Sequence, residues 1–251
     1  METDASDDEG AGDLRRRIVH GRRTGHKLRP HARNLIENLL PHLRVPMPEP
    51  HPLDPEAVPA PLDPFALFTP RPTGLWLEIG FGGGEHLAGQ AAAHPELGLI
   101  GCEPFINGVA KLLIDVEARN LGNVRVHTDD ARPLIEALPE GSLDRAFVLF
   151  PDPWPKTRHH KRRFIQTATL DALARALADG AELRVATDIM AYARWTLVLA
   201  MRHPDFEWLA RGPADWRVPP PDWVPTRYEA KARVAGRTPV YLRFRRRPRA
   251  A

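Results

Sequence analysis

Apolar and polar positions follow two rhythms along the chain, and the change between them divides it. From residue 75 onward short apolar runs recur: LWLEIG (75–80), LGLIGCE (97–103), VRVHT (124–128), DRAFVLF (144–150) and AELRVATD (181–188). Between them lie stretches with helical spacing: a run from Glu85, NGVAKLLIDVEARN (107–120), 132–138, 163–178 and 189–202. The last of these leads to FEWLAR (206–211), and PVYLRFR (239–245) gives a late strand. Apolar strands alternating with helices imply a mostly parallel sheet covered on both faces. Right-handed crossovers make such a sheet doubly wound, an α/β fold.

Ahead of residue 73 the alternation is absent. Residues 1–13 are acidic and lack aromatics, which predicts a disordered tail. Residues 14–72 hold a basic arm, LRRRIVHGRRTGHKLR (14–29), and a short amphipathic helix in ARNLIENLLPHL that Pro41 is expected to end. Ten prolines between Pro46 and Pro72 predict an extended segment without regular structure. The folded domain is expected over 73–247.

Composition narrows the class. At 251 residues the chain can bury a sizeable core, and 43% apolar content is ordinary for a globular protein. The single cysteine, Cys102, excludes a disulfide framework or a cysteine-built metal site within one chain and reads as a small buried apolar residue. The acidic start lacks the regions of a secretory signal, and no apolar run approaches the roughly 20 residues of a membrane helix. These features predict a soluble cytoplasmic protein with no membrane contact. Net charge is only +3, but the cations gather at 14–29, 156–163 and 243–249, which favours a polyanionic partner.

Ligands of open α/β sheets bind outside the carboxyl ends of the strands. Those ends carry Glu78 with Gly80, then Glu103, then Asp129 and Asp130, then Asp152, then Asp188. Any one of these acids alone is an ordinary cap or turn; five near one edge point to a ligand. In GFGGGEH (80–86), Gly80 and Gly82 begin a GxGxxG pattern, but its third position is Glu85, where close helix packing wants Gly or Ala. Glu78 and Glu85 would also set negative charge beside a pyrophosphate, which argues against an NAD-dependent oxidoreductase. Glu103, 23 residues beyond Gly80, suits a carboxylate that accepts from both ribose hydroxyls. A cationic, phosphate-free adenosine cofactor fits these acids, and S-adenosylmethionine is one. Backbone amides of Gly82, Gly83 and Gly84 are placed to take its carboxylate, and Asp130 to meet the adenine amino group or the sugar edge.

The stretch PDPWPKTRHHKRRF (151–164) joins a rigid acidic turn to five cations and two histidines within 156–163. Its prolines hold the chain extended, fixing Asp152 above the sheet near the methyl donor. Trp154 offers an aromatic face to a base. Arg158, Lys161, Arg162 and Arg163 read as phosphate contacts on a loop and first helical turn, where the helix dipole makes cations unfavourable for folding alone. His159 and His160 are adjacent and point apart, so they read as solvated or phosphate-facing groups, and no metal is expected. A non-catalytic RNA-binding module is the remaining rival. The row of strand-end acids argues against it, because a pure RNA surface does not collect carboxylates.

Taken together, LEIGFGGGEH, GCEPFINGVAKLL, DDAR, FPDPWPKTRHHKRRF, ATD and TRYEAKA resemble the bacterial tRNA (guanine-N7-)-methyltransferase family. The resemblance runs from about Gly21 to Arg247 and is weakest in the proline-rich segment. It implies a Rossmann-like class I methyltransferase fold with a seven-stranded sheet, S-adenosylmethionine as cofactor and a guanosine in the variable loop of tRNA as substrate. On the family pattern Glu78, Glu103, Asp130 and Asp152 fall on cofactor-binding positions beside Gly80 and Gly82, with Asp152 also the active-site acid. Lys156, Asp188 and the segment Thr226, Arg227, Tyr228 and Glu229 fall on substrate-binding positions. Arg158, His159, His160, Lys161, Arg162 and Arg163 form the RNA-contacting run. Thr226 and Glu229 are expected on a late loop closing over the base, with a turn capped by Thr226 as the alternative. A monomer and a homodimer are both compatible with this pattern.

Overall fold

The structure, a computed structural model, describes residues 23–47 and 62–250. The expected acidic tail, the first part of the basic arm and most of the proline-rich segment lie outside the described residues. Seven strands form one sheet: β1 (Leu75–Ile79), β2 (Gly98–Cys102), β3 (Val124–His127), β4 (Leu143–Leu149), β5 (Leu177–Thr187), β6 (Phe206–Trp208) and β7 (Val240–Arg246). Their order is β3-β2-β1-β4-β5-β7-β6. The first five run parallel, while β7 lies antiparallel between β5 and β6.

Side-chain alternation along the strands separates two cores. On one face Leu75, Leu77 and Ile79 pack with α5 (Ala131–Ala137), α6 (Thr167–Ala176) and α7 (Met190–Arg202). On the other, Trp76 packs with α3 (Glu85–Ala93) and α4 (Ile106–Arg119). The short helices α1 (Pro30–Asn38) and α2 (Leu40–Leu43) extend this second core through Leu35, Leu40 and Leu43. Because helices cover both faces, β1 and β2 are buried at every position. No helix among the described residues is long and apolar enough to cross a membrane.

The structure departs from the sequence-based expectation in three places. Pro41 sits in the first turn of α2 rather than ending a helix, since the first turn needs no donor from it. The helix expected over 163–178 covers only Thr167–Ala176. A reciprocal capping box between Gln166 and Thr169 sets its start, and Leu177 already pairs with Leu143 as strand. Residues 226–229 are the cap and first turn of a helix, α9 (Arg227–Val234), which follows the four-residue α8 (Ala214–Arg217).

A strap over 218–226 covers part of the α3 face of β4 and β5. Arg145 and Arg184 project there from β4 and β5, and both donate to Asp222, at 2.8 Å each. Gln90 of α3 donates to the Asp222 carbonyl at 2.7 Å, so strap, sheet and helix meet at one residue. Burial raises the Asp222 carboxyl, but the two guanidinium groups outweigh it and hold its pKa at about 2. The stabilisation from this ion triad is therefore present above the ordinary carboxylate value of 3.8 and fades as pH falls toward 2. In urea unfolding across that range, the wild-type midpoint should fall toward that of Asp222→Asn, and a constant gap would contradict the triad. A second constraint sits in α4, where a Cβ on Gly108 would lie 2.1 Å from the Gly82 carbonyl oxygen. Gly108→Ala should lower stability by about 1–3 kcal/mol by forcing the two segments apart, as read by denaturant unfolding.

Candidate active site

Between β1 and β4 the strand order reverses, and there the carboxyl ends of β1, β2 and β4 surround a cleft of about 410 Å3. Its walls bring together Gly80, Asp130, Asp152, Trp154, Lys161 and Arg162, with Ile79, Cys102 and Val148 among its apolar lining. The acids of two strand ends, Asp129 and Asp130 after β3 and Asp152 after β4, thus share one space, while Glu78 and Glu103 lie outside its lining.

The glycine loop closes one side. Glu103, just past β2, accepts from the Gly82 amide at 2.7 Å and from the Phe105 amide at 2.9 Å. One carboxylate therefore ties the β1–α3 turn to the β2–α4 turn. Burial pushes the Glu103 pKa up; the two amides and the Arg227 guanidinium counter part of that rise. The Gly82 and Gly84 amides are both engaged, the latter with the Phe81 carbonyl at 2.9 Å, so the loop has fewer donors for a ligand than expected. Glu78 is buried, and its carboxylate meets His86 Nδ1 at 2.7 Å. His86 also touches Gln90 at 3.2 Å and stacks near Phe147 and Trp223, a buried partner that sequence reasoning missed.

Asp130 does what a bland reading allowed, capping α5 by accepting from the Arg132 amide at 3.0 Å. It also accepts from the Arg132 guanidinium at 2.7 Å inside the cleft wall. Arg132 Nε is buried there without a hydrogen bond. Asp129 is held by Arg23 of the basic arm at 2.7 Å.

The proline-rich turn after β4 is strained. Phe150 and Trp154 adopt φ of 51° and 42°, a region that non-glycine residues rarely enter. Arg163 holds it there: its Nε donates to the Pro153 carbonyl at 2.8 Å, while its guanidinium lies 5.0 Å from the Trp195 ring. At 2% exposure Arg163 is not an RNA contact, and burial rather than phosphate explains this cation. Asp152 reaches the cleft from the same turn, and partial desolvation by its walls raises its pKa.

Residues Thr157–Arg162 form a 3-10 turn of their own, outside α6, so the helix dipole does not bear on them. Lys156, Arg158 and Lys161 are exposed. Arg162 stacks 5.1 Å over Trp154, whose edge meets His159 at 5.9 Å, and His160 packs on Trp195. Three arginines of the C-terminal cluster, in contrast, are paired with acids of the fold. Arg243 pairs with Glu182, Arg246 with Asp179, and Arg249 with Glu140 and Asp179.

The TRYE segment packs against the outer side of the glycine loop. Thr226 accepts from the Glu229 amide at 3.2 Å as the cap of α9. A Cβ on Gly82 would lie 2.6 Å from the Tyr228 ring, so the loop needs glycine there. Glu229 is buried, and its oxygens accept from Trp223 Nε1 (2.7 Å), the Tyr241 hydroxyl (3.0 Å) and Arg233 (2.7 Å). These donors outweigh burial and hold its pKa low. In this arrangement Glu229 anchors a helix; it does not close a loop over a base. Asp188 does not line the cleft either, because Arg237 holds it at 2.6 Å. Among the described residues no group of three or more potential ligands is placed to hold a metal ion.

Comparison with known proteins agrees with this architecture. Residues 72–242 match the family model Methyltransf_4, described as "Putative methyltransferase". The chain is 56% identical over 92% of its length to the tRNA (guanine-N(7)-)-methyltransferase of Rhodospirillum rubrum, covering 89% of that protein. It is 52% identical over 93% of its length to the enzyme of the same name from Ruegeria pomeroyi, covering 96% of it. The fold also matches the 16S rRNA methyltransferase KamB, with a TM-score of 0.51 at 16% identity over 70% of this chain and 89% of that one. The chain belongs to the tRNA (guanine-N(7)-)-methyltransferase family.

Proposed function

We propose that the cleft binds S-adenosylmethionine and that the protein methylates N7 of a guanosine in the variable loop of tRNA. The observation that carries this reading is the juxtaposition at the β1–β4 switch point. A cleft lined by Asp129, Asp130 and Asp152 together with Arg132, Lys161 and Arg162 adjoins a rigid turn that also carries the exposed Lys156 and Arg158. The residues present fit the cofactor: Asp130, Asp152 and Glu103 suit its cationic and hydroxyl groups, and the buried, unpaired Arg132 Nε supplies a donor in the cleft wall. When bound, S-adenosylmethionine supplies an electrophilic methyl group on a positively charged sulfur.

Guanine N7 carries a lone pair and no proton, so a displacement at the methyl carbon, with the methyl–sulfur bond breaking and its electron pair leaving on the neutral thioether, would need no general base from the protein. Positive charge then grows on the imidazole ring, and Asp152 is the carboxylate that stabilises it or accepts from guanine N1–H and the amino group. The main task of the protein is alignment, worth up to about 7–11 kcal/mol. Arg163 serves that task by fixing the strained turn that presents Asp152. Lys156 either donates to guanine O6 or holds a phosphate, and Arg158 and Lys161 meet further phosphates. Thr226 and Glu229 contribute through α9, by holding its first turn against the loop. A tRNA substrate places the reaction in the cytoplasm.

Incubating unmodified tRNA transcript with labelled S-adenosylmethionine, then cleaving with borohydride and aniline, tests the reaction directly. Methyl label in the intact tRNA and, after the cleavage, a single cut in the variable loop are expected, and label without a cut would reject N7. Asp152→Asn should lower kcat about 10²- to 10³-fold with tRNA affinity unchanged; equal losses in both would make Asp152 a binding residue. Arg158→Glu should weaken tRNA binding and flatten its salt dependence by about one unit of slope. Arg163→Met should instead lower stability by about 1–3 kcal/mol, and a purely tRNA-binding defect would show that its burial had been misread.

A further inference from the structure

Arg227 lies beside the glycine loop, facing Glu85 and next to the Tyr228 that abuts Gly82, with one donor unmet. Its Nη2 donates to the Tyr228 hydroxyl at 3.3 Å, and its Nε stands 3.7 Å from Glu85 Oε1, too far for a hydrogen bond. That Nε–H is buried and has no hydrogen-bond partner. An unpaired buried donor is costly, so its presence at the edge of a ligand site marks a place for a ligand acceptor.

The charge around the loop says which acceptor. The acids Glu85 and Glu103 beside the loop match the sulfonium and ammonium of S-adenosylmethionine, whereas its one anionic group needs a cation. Two of the three amides that might have served it are engaged, Gly82 with Glu103 and Gly84 with Phe81. Arg132, whose Nε is also unpaired, sits past β3 with Asp130, and Arg162 is stacked on Trp154 of the turn after β4. Arg227, stacked 5.0 Å over Tyr228 and facing Glu85, instead adjoins the glycine loop itself. Arg227 is close enough to act on Glu103, the carboxylate that clamps the loop. Tyr228 abuts Gly82 and so carries its neighbour to the same place.

Resting on the cofactor reading above, we propose that Arg227 receives the α-carboxylate of the methionyl group of S-adenosylmethionine. The first turn of α9 is then part of the cofactor site and not only of a base-binding surface. A guanidinium meets a carboxylate through paired donors, which a lysine reproduces only in charge.

Calorimetric titration with two ligands separates this from a structural role. S-adenosylhomocysteine keeps the amino-acid tail, and methylthioadenosine keeps adenine, ribose and thioether but lacks the tail. Arg227→Ala should weaken S-adenosylhomocysteine binding about 10- to 100-fold and leave methylthioadenosine unchanged. Arg227→Lys should recover part of the loss. Unchanged methylthioadenosine binding also shows that the variant is folded; if Arg227→Ala does not fold, Arg227→Gln is measured in the same way. Equal weakening of both ligands, or unchanged S-adenosylhomocysteine affinity, would overturn the assignment while leaving the cofactor reading intact. Failure of the wild-type protein to bind either ligand would overturn the cofactor reading and this assignment together.

Discussion

Two arginines on the α3 face of the sheet, Arg145 and Arg184, require a counter-charge that their own strands supply only in part, through Glu182. Asp222 completes it from a segment far along the chain, and much else follows from that contact. The strap it anchors presents Trp223 to His86 and to Tyr241, and continues into the cap of α9. Helix α9 in turn lies against the glycine loop, which Glu103 holds from the other side. A buried charge left unpaired is strongly destabilising, so this face of the sheet is complete only when the strap is in place. Glycine loop and sheet interior are therefore parts of one electrostatic arrangement.

On the opposite side of the cleft the same logic acts through Arg163. The turn from Phe150 to Trp154 sits in a costly backbone conformation, and a buried guanidinium donating to one of its carbonyls offsets that cost. The cations next to Arg163 remain at the surface. A run that looks uniform in sequence is thus divided: Arg163 supports the turn, Arg162 covers the Trp154 face, and Lys156, Arg158 and Lys161 face solvent. Rigidity at Asp152 and exposed positive charge come from one short stretch without competing for the same side chains.

Most of the fold was legible because its signals are local. Short apolar runs and helical spacing specify β1 to β5 and their crossovers, and strand-end acids point to the cleft. What escaped depended on distant partners. Arg233 stands four residues from Glu229 and is a local pair, but nothing near Glu229 shows that Tyr241 of β7 and Trp223 of the strap will share its oxygens, and nothing near Asp188 announces Arg237. RYEAKARV carries too few apolar residues to read as a helix; its start is fixed by the Thr226 cap and its position by Glu229. The C-terminal arginines read as one of three clusters favouring a polyanionic partner because acids at 140, 179 and 182 join them only across the fold.

The placement of β7 has a consequence for synthesis. It lies between β5 and β6 yet follows both in the chain, so as the polypeptide leaves the ribosome β6 has no partner and β5 keeps an open edge until residues 240–246 emerge. Such an unpaired edge invites association between neighbouring nascent chains. Tyr241, which holds Glu229, arrives with the same strand. The anchored α9, and with it the finished side of the cleft, is thus among the last parts of the molecule to form. A nascent chain can meet tRNA before then only with an incomplete site.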